Sequence, residues 1–335
     1  MTRPATLADV ARAAGVHPAT VSRILNRKPG LSIRDETRER VERIAAEQGY
    51  RPNAMARGLR LASTGALGLL VPSLRNPVYA HIIRGAFRRA WERGFVVVLA
   101  EDAGGDEAAL AYERLVREAR IDGLLVASAR PGSSLPARGA VPTVFVNRRH
   151  PDGPSVSMRE EDAGALAAHH LLELGHTQLG HVAGPPELDT ARRRHHGFVD
   201  AARAAGATAR VAHAPFDERG GHTALAELLQ ARDGQRPTAV FVSNLGQSIG
   251  ALAAAREAGL RVPVDLSVVT YDDDPLGEYL DPPLSAIRMP LAELGARGVD
   301  CVLDPSPTDV VIATAPELVV RASTARSGER AGGRP

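Results

Sequence analysis

The apolar positions follow two regimes, and the change between them falls near residue 65. Before it, apolar residues recur at spacings of three and four, the period of a helix buried on one face. Leu7, Val10, Ala11 and Ala14 form one such stripe. Thr6 stands at the N-cap position, and Gly15 stops the helix and permits a sharp turn. Pro18 suits a first helical position because its φ is already near the helical value. Val21, Ile24 and Leu25 then face inward, leaving Ala19, Ser22, Arg23 and Asn26 outside. Residues 35–48 predict a third helix with Val41, Ile44 and Ala45 buried and Gly49 as its stop.

From Ala66 onward, short apolar runs alternate with helical stretches. ALGLLVP, FVVVLAED, GLLVAS and PTVFVN read as buried strands, with helices at 78–93 and 106–120 between the first three. LGHVAG, VAHAPF, AVFVSN and LSVVTYDD form a second series of the same kind, again with helices between. Such alternation predicts an α/β body of parallel sheets covered on both faces. Two series predict two lobes, with a ligand cleft at the carboxyl ends of the strands.

Composition narrows the class. With 335 residues, 44% hydrophobic and 24% charged, the chain is globular and long enough for two or three domains. Its charge is uneven: residues 1–60 hold 12 basic and 6 acidic side chains, the remainder 29 and 33. A basic head on a mildly acidic body is the footprint of a DNA-binding module on a regulatory domain. No window approaches a membrane span and the N-terminus lacks a secretory h-region, so a cytoplasmic location without membrane partners is expected. The lone Cys301 excludes a disulfide framework and a cysteine-based zinc site.

A recognition helix reads bases near its N-terminus. Pro18 and Ala19 suit contact with a thymine methyl, and Arg23 suits bidentate bonding to guanine. Thr6, Ser22 and Asn26 suit phosphate contacts, which position without reading sequence. A three-helix bundle with an ordinary polar face satisfies the same pattern.

TLADVARAAGVHPATVSRILN, followed by ETRERV, GY and PNAMARGL, resembles the head of the LacI/GalR family of bacterial transcriptional regulators. The resemblance runs almost without gaps through Leu61. It implies that residues 53–60 are a hinge helix that folds when a dimer binds its operator, with DNA contacts from Asn53, Ala56, Leu59 and Arg60. Leu59 would enter the minor groove at the central step, where unstacking costs a few kcal/mol recovered through a kinked duplex. His17 stands where the family usually has Ser and so bears on DNA contacts. Arg34 stands where a Ser usually caps the third helix, leaving Ser32 or Asp35 to compensate.

The resemblance continues through LGLLVPSLRNPVYAHIIRGAF, EEDAGALAAHHLLELGH, VAGPP, RRRHHGF, LSVVTYDD and PPLSAIRMP. It implies a type I periplasmic-binding-protein-like body of two parallel-sheet lobes, with late crossings near 287–290 and Glu317. Carried over residue by residue, it makes Tyr79 an apolar wall for the effector, Arg194 a fork onto ligand groups, and Phe216 a stacking aromatic. Asn244 and Asp272 are the polar partners from the second lobe. Asn147 replaces an Asp and is followed by Arg148, Met158 replaces an aromatic, and Leu245 replaces an Asp.

Several motifs imitate other chemistry. GQSIG at 246–250 matches a nucleophile elbow, but the last histidine, His222, precedes Ser248, and Asn244 and Leu245 separate the motif from its strand. His169, His170, Glu173 and His176 sit at helical spacings that could hold a metal, though a structural role for His170 and His176 fits the resemblance better. His195 and His196 edge the pocket or lie on a solvated face, and Trp91 reads as packing. Asp272 to Asp274 could suggest a cation site, against which hydroxyl acceptance and loop capping are the stronger reading.

These readings predict a DNA-binding domain at 1–50, a hinge and linker at 51–62, and an effector and dimerisation domain at 63–325. Lobe one would take 63–158 and 290–316, lobe two 159–287 and 317–325, with a disordered tail at 326–335. The expected function is a ligand-responsive repressor that binds a pseudo-palindromic operator as a homodimer, with a sugar or sugar derivative in the cleft. No cofactor, metal or catalytic residue is expected. The competing readings are a constitutive regulator with a vestigial cleft, an enzyme built on Ser248, and a solute-binding protein.

Overall fold

The computed structural model describes residues 5–25, 33–50, 63–102, 116, 120–128, 139–230, 236–305 and 308–328. The chain divides into two compact units, Met1–Thr64 and Gly65–Pro335. Asn26, Ser32, the hinge residues Asn53, Ala56, Leu59 and Arg60, and nearly all of the helix expected at 106–120 lie outside the described residues.

The first unit contains α1 (Leu7–Ala14), α2 (Pro18–Leu25) and α3 (Asp35–Glu47) around a small core of Val10, Ala11, Ala14, Val21, Ile24, Val41, Ile44 and Ala45. Thr6 and Asp9 form a reciprocal capping box at the start of α1. Gly15 ends it at φ 61°, a left-handed conformation that costs glycine least. Arg34 occupies the N-cap of α3 with no side-chain cap bond, so Asp35 and Glu36 in the first turn supply the favourable charge there.

The second unit holds two sheets. The first has β1 (Ala66–Val71), β2 (Val96–Glu101), β3 (Gly123–Val126), β4 (Thr143–Val146), β5 (Ser155–Ser157) and β11 (Val310–Val311), in the order β11-β5-β4-β3-β1-β2. The second has β6 (Gln178–Ala183), β7 (Thr208–His213), β8 (Ala239–Val242), β9 (Ser267–Tyr271), β10 (Ser285–Arg288) and β12 (Glu317–Val319), in the order β12-β10-β9-β8-β6-β7. All pairings are parallel except β10 with β12. The two orders are the same path taken twice, so β4 and β9 occupy equivalent places.

Helices pack in pairs against these sheets, and each pair meets through glycines. α4 (Pro77–Glu92) crosses α9 (Leu291–Leu303) at Gly85 and Gly295; a Cβ on either would collide with the backbone of Ala292 or Ile82. α5 (Glu160–Glu173) crosses α6 (Asp189–Ala204) at Gly164 and Gly197, against the carbonyls of Arg194 and Glu161. α7 (Glu218–Leu229) crosses α8 (Leu245–Glu257) at Gly221 and Gly250, against Gln247 and Glu218.

The segment just before the tail expected at 326–335 is bonded into the second sheet. Ser323 is fully buried and donates to the Val268 carbonyl at 2.6 Å, Ala325 N–H donates to Ser267, and Ser327 N–H donates to Leu174. His170 Nε2 lies 3.1 Å from Thr324 Oγ1, and His176 reaches Thr238 Oγ1 at 2.9 Å and the Ala325 carbonyl at 3.0 Å. These two histidines therefore clamp the C-terminal segment. Residues 329–335 lie outside the described residues. Trp91, expected to pack, is 78% exposed.

Candidate functional site

The carboxyl ends of β4, β8 and β9 and the N-termini of α4 and α6 converge on one cleft. Its inner chamber is lined by Tyr79, Asn147 and Arg148 from the first sheet's side, and by Arg194, Asn244 and Asp272 from the second. The chamber is about 20 Å³, room for about one water molecule. It adjoins an outer cleft of about 940 Å³ that shares Asn76, Tyr79, Arg148, Phe216 and Asn244. That outer volume suits a small organic ligand.

Backbone geometry marks the two strand ends. Asn147, just after β4, has φ 75°, and Asp272, just after β9, has φ 78°; among the described residues no other non-glycine has positive φ. Short polar side chains tolerate this region better than others, at a cost of roughly 1–2 kcal/mol. Both turn into the chamber from equivalent points in the two sheets.

Arg194 is held by a buried framework. Its Nε and Nη2 donate to Glu160 Oε2 at 3.1 and 2.9 Å, and Nη1 donates to the Ser243 carbonyl. Its guanidinium lies 3.1 Å from the Tyr271 ring centre, and the Tyr271 hydroxyl donates to Glu160 Oε1 at 3.0 Å. Burial opposes the charge on Arg194, but Glu160, Tyr271 and Asp272 together outweigh it and raise the guanidinium above its ordinary value. Burial also lifts the Tyr271 phenol well above its usual range. Asp272 is only 3% exposed, and its Oδ1 has no hydrogen-bond partner among the described residues. Burial pushes its carboxyl up to about 8, with Arg194 opposing and Glu160 reinforcing the rise. Near neutral pH this acid is largely protonated.

The remaining walls are held from behind. Asn244 caps α8 by accepting from Gln247 N–H at 2.7 Å and donates to the Phe216 carbonyl at 3.2 Å. Phe216 packs its ring over Gly184, where any Cβ would collide with it. The buried Gln247 amide reaches the carbonyls of Ala183, Ala214 and Pro215, tying the loops after β6 and β7 together. Arg148 is buried and donates to the Tyr79 hydroxyl at 3.3 Å. Contacts that join the first-sheet side to the second at the cleft include His81 Nε2 with Asp274 Oδ2 at 3.3 Å, and Arg149 N–H with Asp189 Oδ2 at 3.3 Å.

In the first unit, His17, Ala19 and Arg23 are exposed and Pro18 is half-buried at the start of α2. Ser22 is buried, contrary to its expected place on the outer face. The Thr6 hydroxyl donates to Asp9 Oδ2 at 2.6 Å within the cap of α1.

Comparison with known proteins now decides the family. Residues 6–53 match the model for bacterial regulatory proteins of the lacI family, and residues 168–324 match a periplasmic binding protein-like domain. The chain is 33% identical over 308 residues to the ribose operon repressor of Escherichia coli (strain K12), covering 89% of this chain and 92% of the repressor. The chain belongs to the LacI family. In structure it resembles a lac repressor dimer bound to operator and the anti-inducer ONPF (TM-score 0.79, 29% identity, 96% of this chain and 100% of that one). It also resembles a CelR–cellobiose complex (TM-score 0.72, 30% identity, 95% and 99%).

In this LacI-family DNA-binding transcriptional regulator, Tyr79, Asn147, Arg148, Arg194, Phe216, Asn244 and Asp272 line one cleft. Met158 is the exception: it is 1% exposed and sits in the apolar core with Leu171 and Phe198, away from the chamber lining. Leu245 lines the outer cleft. The reading missed Glu160, Tyr271, Thr190 and Gln247. Glu160 looked like an ordinary acid in the first turn of a helix, beside Glu161 and Asp162. Ser248 is fully buried, donating to the Asn244 carbonyl at 2.9 Å and lying 2.7 Å from Thr270 Oγ1, an arrangement that closes a helix start. His195 stacks on the fully buried His181 at 5.6 Å, behind the cleft; neither His195 nor His196 lines it. Of the aspartates after β9, Asp273 pairs with Arg288 and Arg321, and Asp274 caps the turn at Leu276. Among the described residues, no helix is long and apolar enough to cross a membrane.

Proposed function

We propose that this LacI-family regulator is a cytoplasmic homodimer that represses transcription from a pseudo-palindromic operator, responds to a sugar or sugar derivative, and catalyses no reaction. The observation that carries the reading is the convergence of Asn147 and Asp272, two strand-end residues in left-handed conformation, on one polar chamber between the sheets. Residues 1–50 serve as the DNA-binding head, 51–62 as the hinge, and 63–325 as the effector domain, with lobes divided as the two sheets divide. One relative is named a ribose operon repressor and one similar structure is a CelR–cellobiose complex, which supports a sugar-like effector.

Pro18, Ala19 and Arg23 offer the base-reading groups, with the hinge contributing Asn53, Ala56, Leu59 and Arg60. Exposed apolar groups support a second copy of the chain on the effector domain. Trp91, Val96 and Phe87 lie at or near the edge strand β2, and Leu276 and Tyr279 follow β9. Effector binding regulates DNA only if it favours one lobe arrangement over another. His81–Asp274 and Arg149–Asp189 are contacts that such a change would break or keep.

The reading is tested by selecting duplexes from a random-sequence pool with the full chain. A two-fold symmetric consensus is expected. Arg23→Ala should then cost roughly 1–3 kcal/mol and relax one base position per half-site. Uniform weakening on all duplexes would remove Arg23 from base reading, and absence of any consensus would contradict the function itself.

A further inference from the structure

The start of the recognition helix α2 is capped in an unusual way. Ala19 N–H donates to His17 Nδ1 at 3.2 Å, while the N–H groups of Thr20 and Val21 turn back onto the His17 carbonyl at 2.8 and 3.3 Å. His17 thus performs the N-cap task that a small hydroxyl usually performs. A hydroxyl does not titrate in the working range, but an imidazole does. Nδ1 accepts only while it carries no proton, and the neutral ring then keeps its proton on Nε2. Protonation puts a hydrogen where the lone pair was and a positive charge at the positive end of the helix dipole.

We propose that His17 is a positioning residue that sets the recognition helix for DNA only as a neutral imidazole, so that acid weakens specific binding through this residue. A histidine that contacts phosphate as a cation gives the opposite sign. The charged side chains on the elements packed around it are Asp9 and Arg12 on α1, Arg23 on α2, and Asp35, Glu36, Arg38, Glu39, Arg40, Glu42, Arg43 and Glu47 on α3. Asp9 is engaged by Thr6 and Arg12, and Arg43 by Glu47; no ion pair of His17 occurs among the described residues.

The inference rests on the DNA-binding reading. The test uses the duplex that the wild-type full chain selects from a random pool, with affinity measured from about pH 8 to about pH 5.5 for wild type, His17→Ser and His17→Ala. Because other histidines titrate too, the readout is the ratio of wild type to His17→Ser. Wild type should lose about fivefold relative to His17→Ser as pH falls, the worth of one N-cap. His17→Ala should be weaker than His17→Ser at every pH, with a constant ratio between them. A wild type that gains on His17→Ser in acid, with a salt slope steeper by about one, would make His17 a cationic phosphate contact and overturn the proposal. Parallel curves would overturn it too. Failure to select any duplex would fall on the DNA-binding reading instead.

Discussion

The two sheets follow one strand path, yet their ends facing the cleft differ in chemistry. At the end of β4 stands Asn147, and beside it Arg148 leans on Tyr79. At the end of β9 stands Asp272, beside a fully buried framework of Glu160, Arg194 and Tyr271. The backbone asks the same of both ends, a left-handed turn into the chamber. Both sides add a buried arginine: on the second-sheet side Arg194 is held by the buried Glu160, and on the first Arg148 donates to the Tyr79 hydroxyl. The second side is a preset polar framework of Glu160, Arg194 and Tyr271, and the first is a wall of Asn147, Arg148 and Tyr79 facing it.

The sharpest way to break this comparison is at Glu160. Glu160→Ala leaves Arg194 buried without its counter-charge and should destabilise the fold by about 3–5 kcal/mol in denaturant unfolding. A loss below about 1 kcal/mol would mean that Arg194 relaxes to solvent and that no framework exists.

Asp272 gives the next largest effect, and its sign is fixed by its raised value. The folded state holds this proton up to about pH 8, whereas the unfolded chain releases it near the ordinary value of 3.8. Its contribution is therefore fully present below the lower value and is lost as pH rises through the upper one. Wild type should lose stability relative to Asp272→Asn at up to about 1.4 kcal/mol per pH unit between these limits, and the difference should level off above about pH 8. A flat difference across pH 5–8 would contradict a buried acid at this position.

The helix pairs should answer alike on the two sides. Gly85→Ala and Gly164→Ala each push a Cβ into a neighbouring helix backbone, so each should cost about 1–3 kcal/mol by thermal or chemical unfolding. A large cost at only one would show that the lobes do not share their packing logic. The smallest effect is expected at the first strand end. Asn147→Gly relieves the left-handed conformation and should shift stability by less than about 1 kcal/mol in the stabilising direction. A clear loss would give the Asn147 side chain a structural part comparable to that of Asp272.

Most of the strands and the cleft were legible because buried parallel strands leave continuous apolar runs, as in FVVVLAED and AVFVSN. β5, β10, β11 and β12 were not, because Ser155–Ser157, Ser285–Arg288, Val310–Val311 and Glu317–Val319 are too short or too mixed to show an apolar run. The order of the C-terminal segment was hidden for a different reason. Ser323, Thr324 and Ala325 are held by hydrogen bonds to Val268, His170, His176 and Ser267, with little apolar signal of their own. Glu160 was hidden by its neighbours: its role appears only when β9 brings Tyr271 and α6 brings Arg194 against it. Met158 misled because its side chain follows the core and not the cleft. Ser22 misled because a polar residue one turn into α2 is covered by the head itself.

The central claim is that the chamber between Asn147 and Asp272 governs the grip on DNA. Its most direct test is fluorescence anisotropy of the selected duplex with the full chain, titrated against a panel of pentoses, hexoses, disaccharides and their phosphates, for wild type and Asp272→Ala. The account predicts that at least one panel member changes wild-type affinity by about fivefold or more, and that Asp272→Ala binds the duplex as wild type does but no longer responds. Wild-type affinity unmoved by the whole panel, or moved equally in Asp272→Ala, would contradict it.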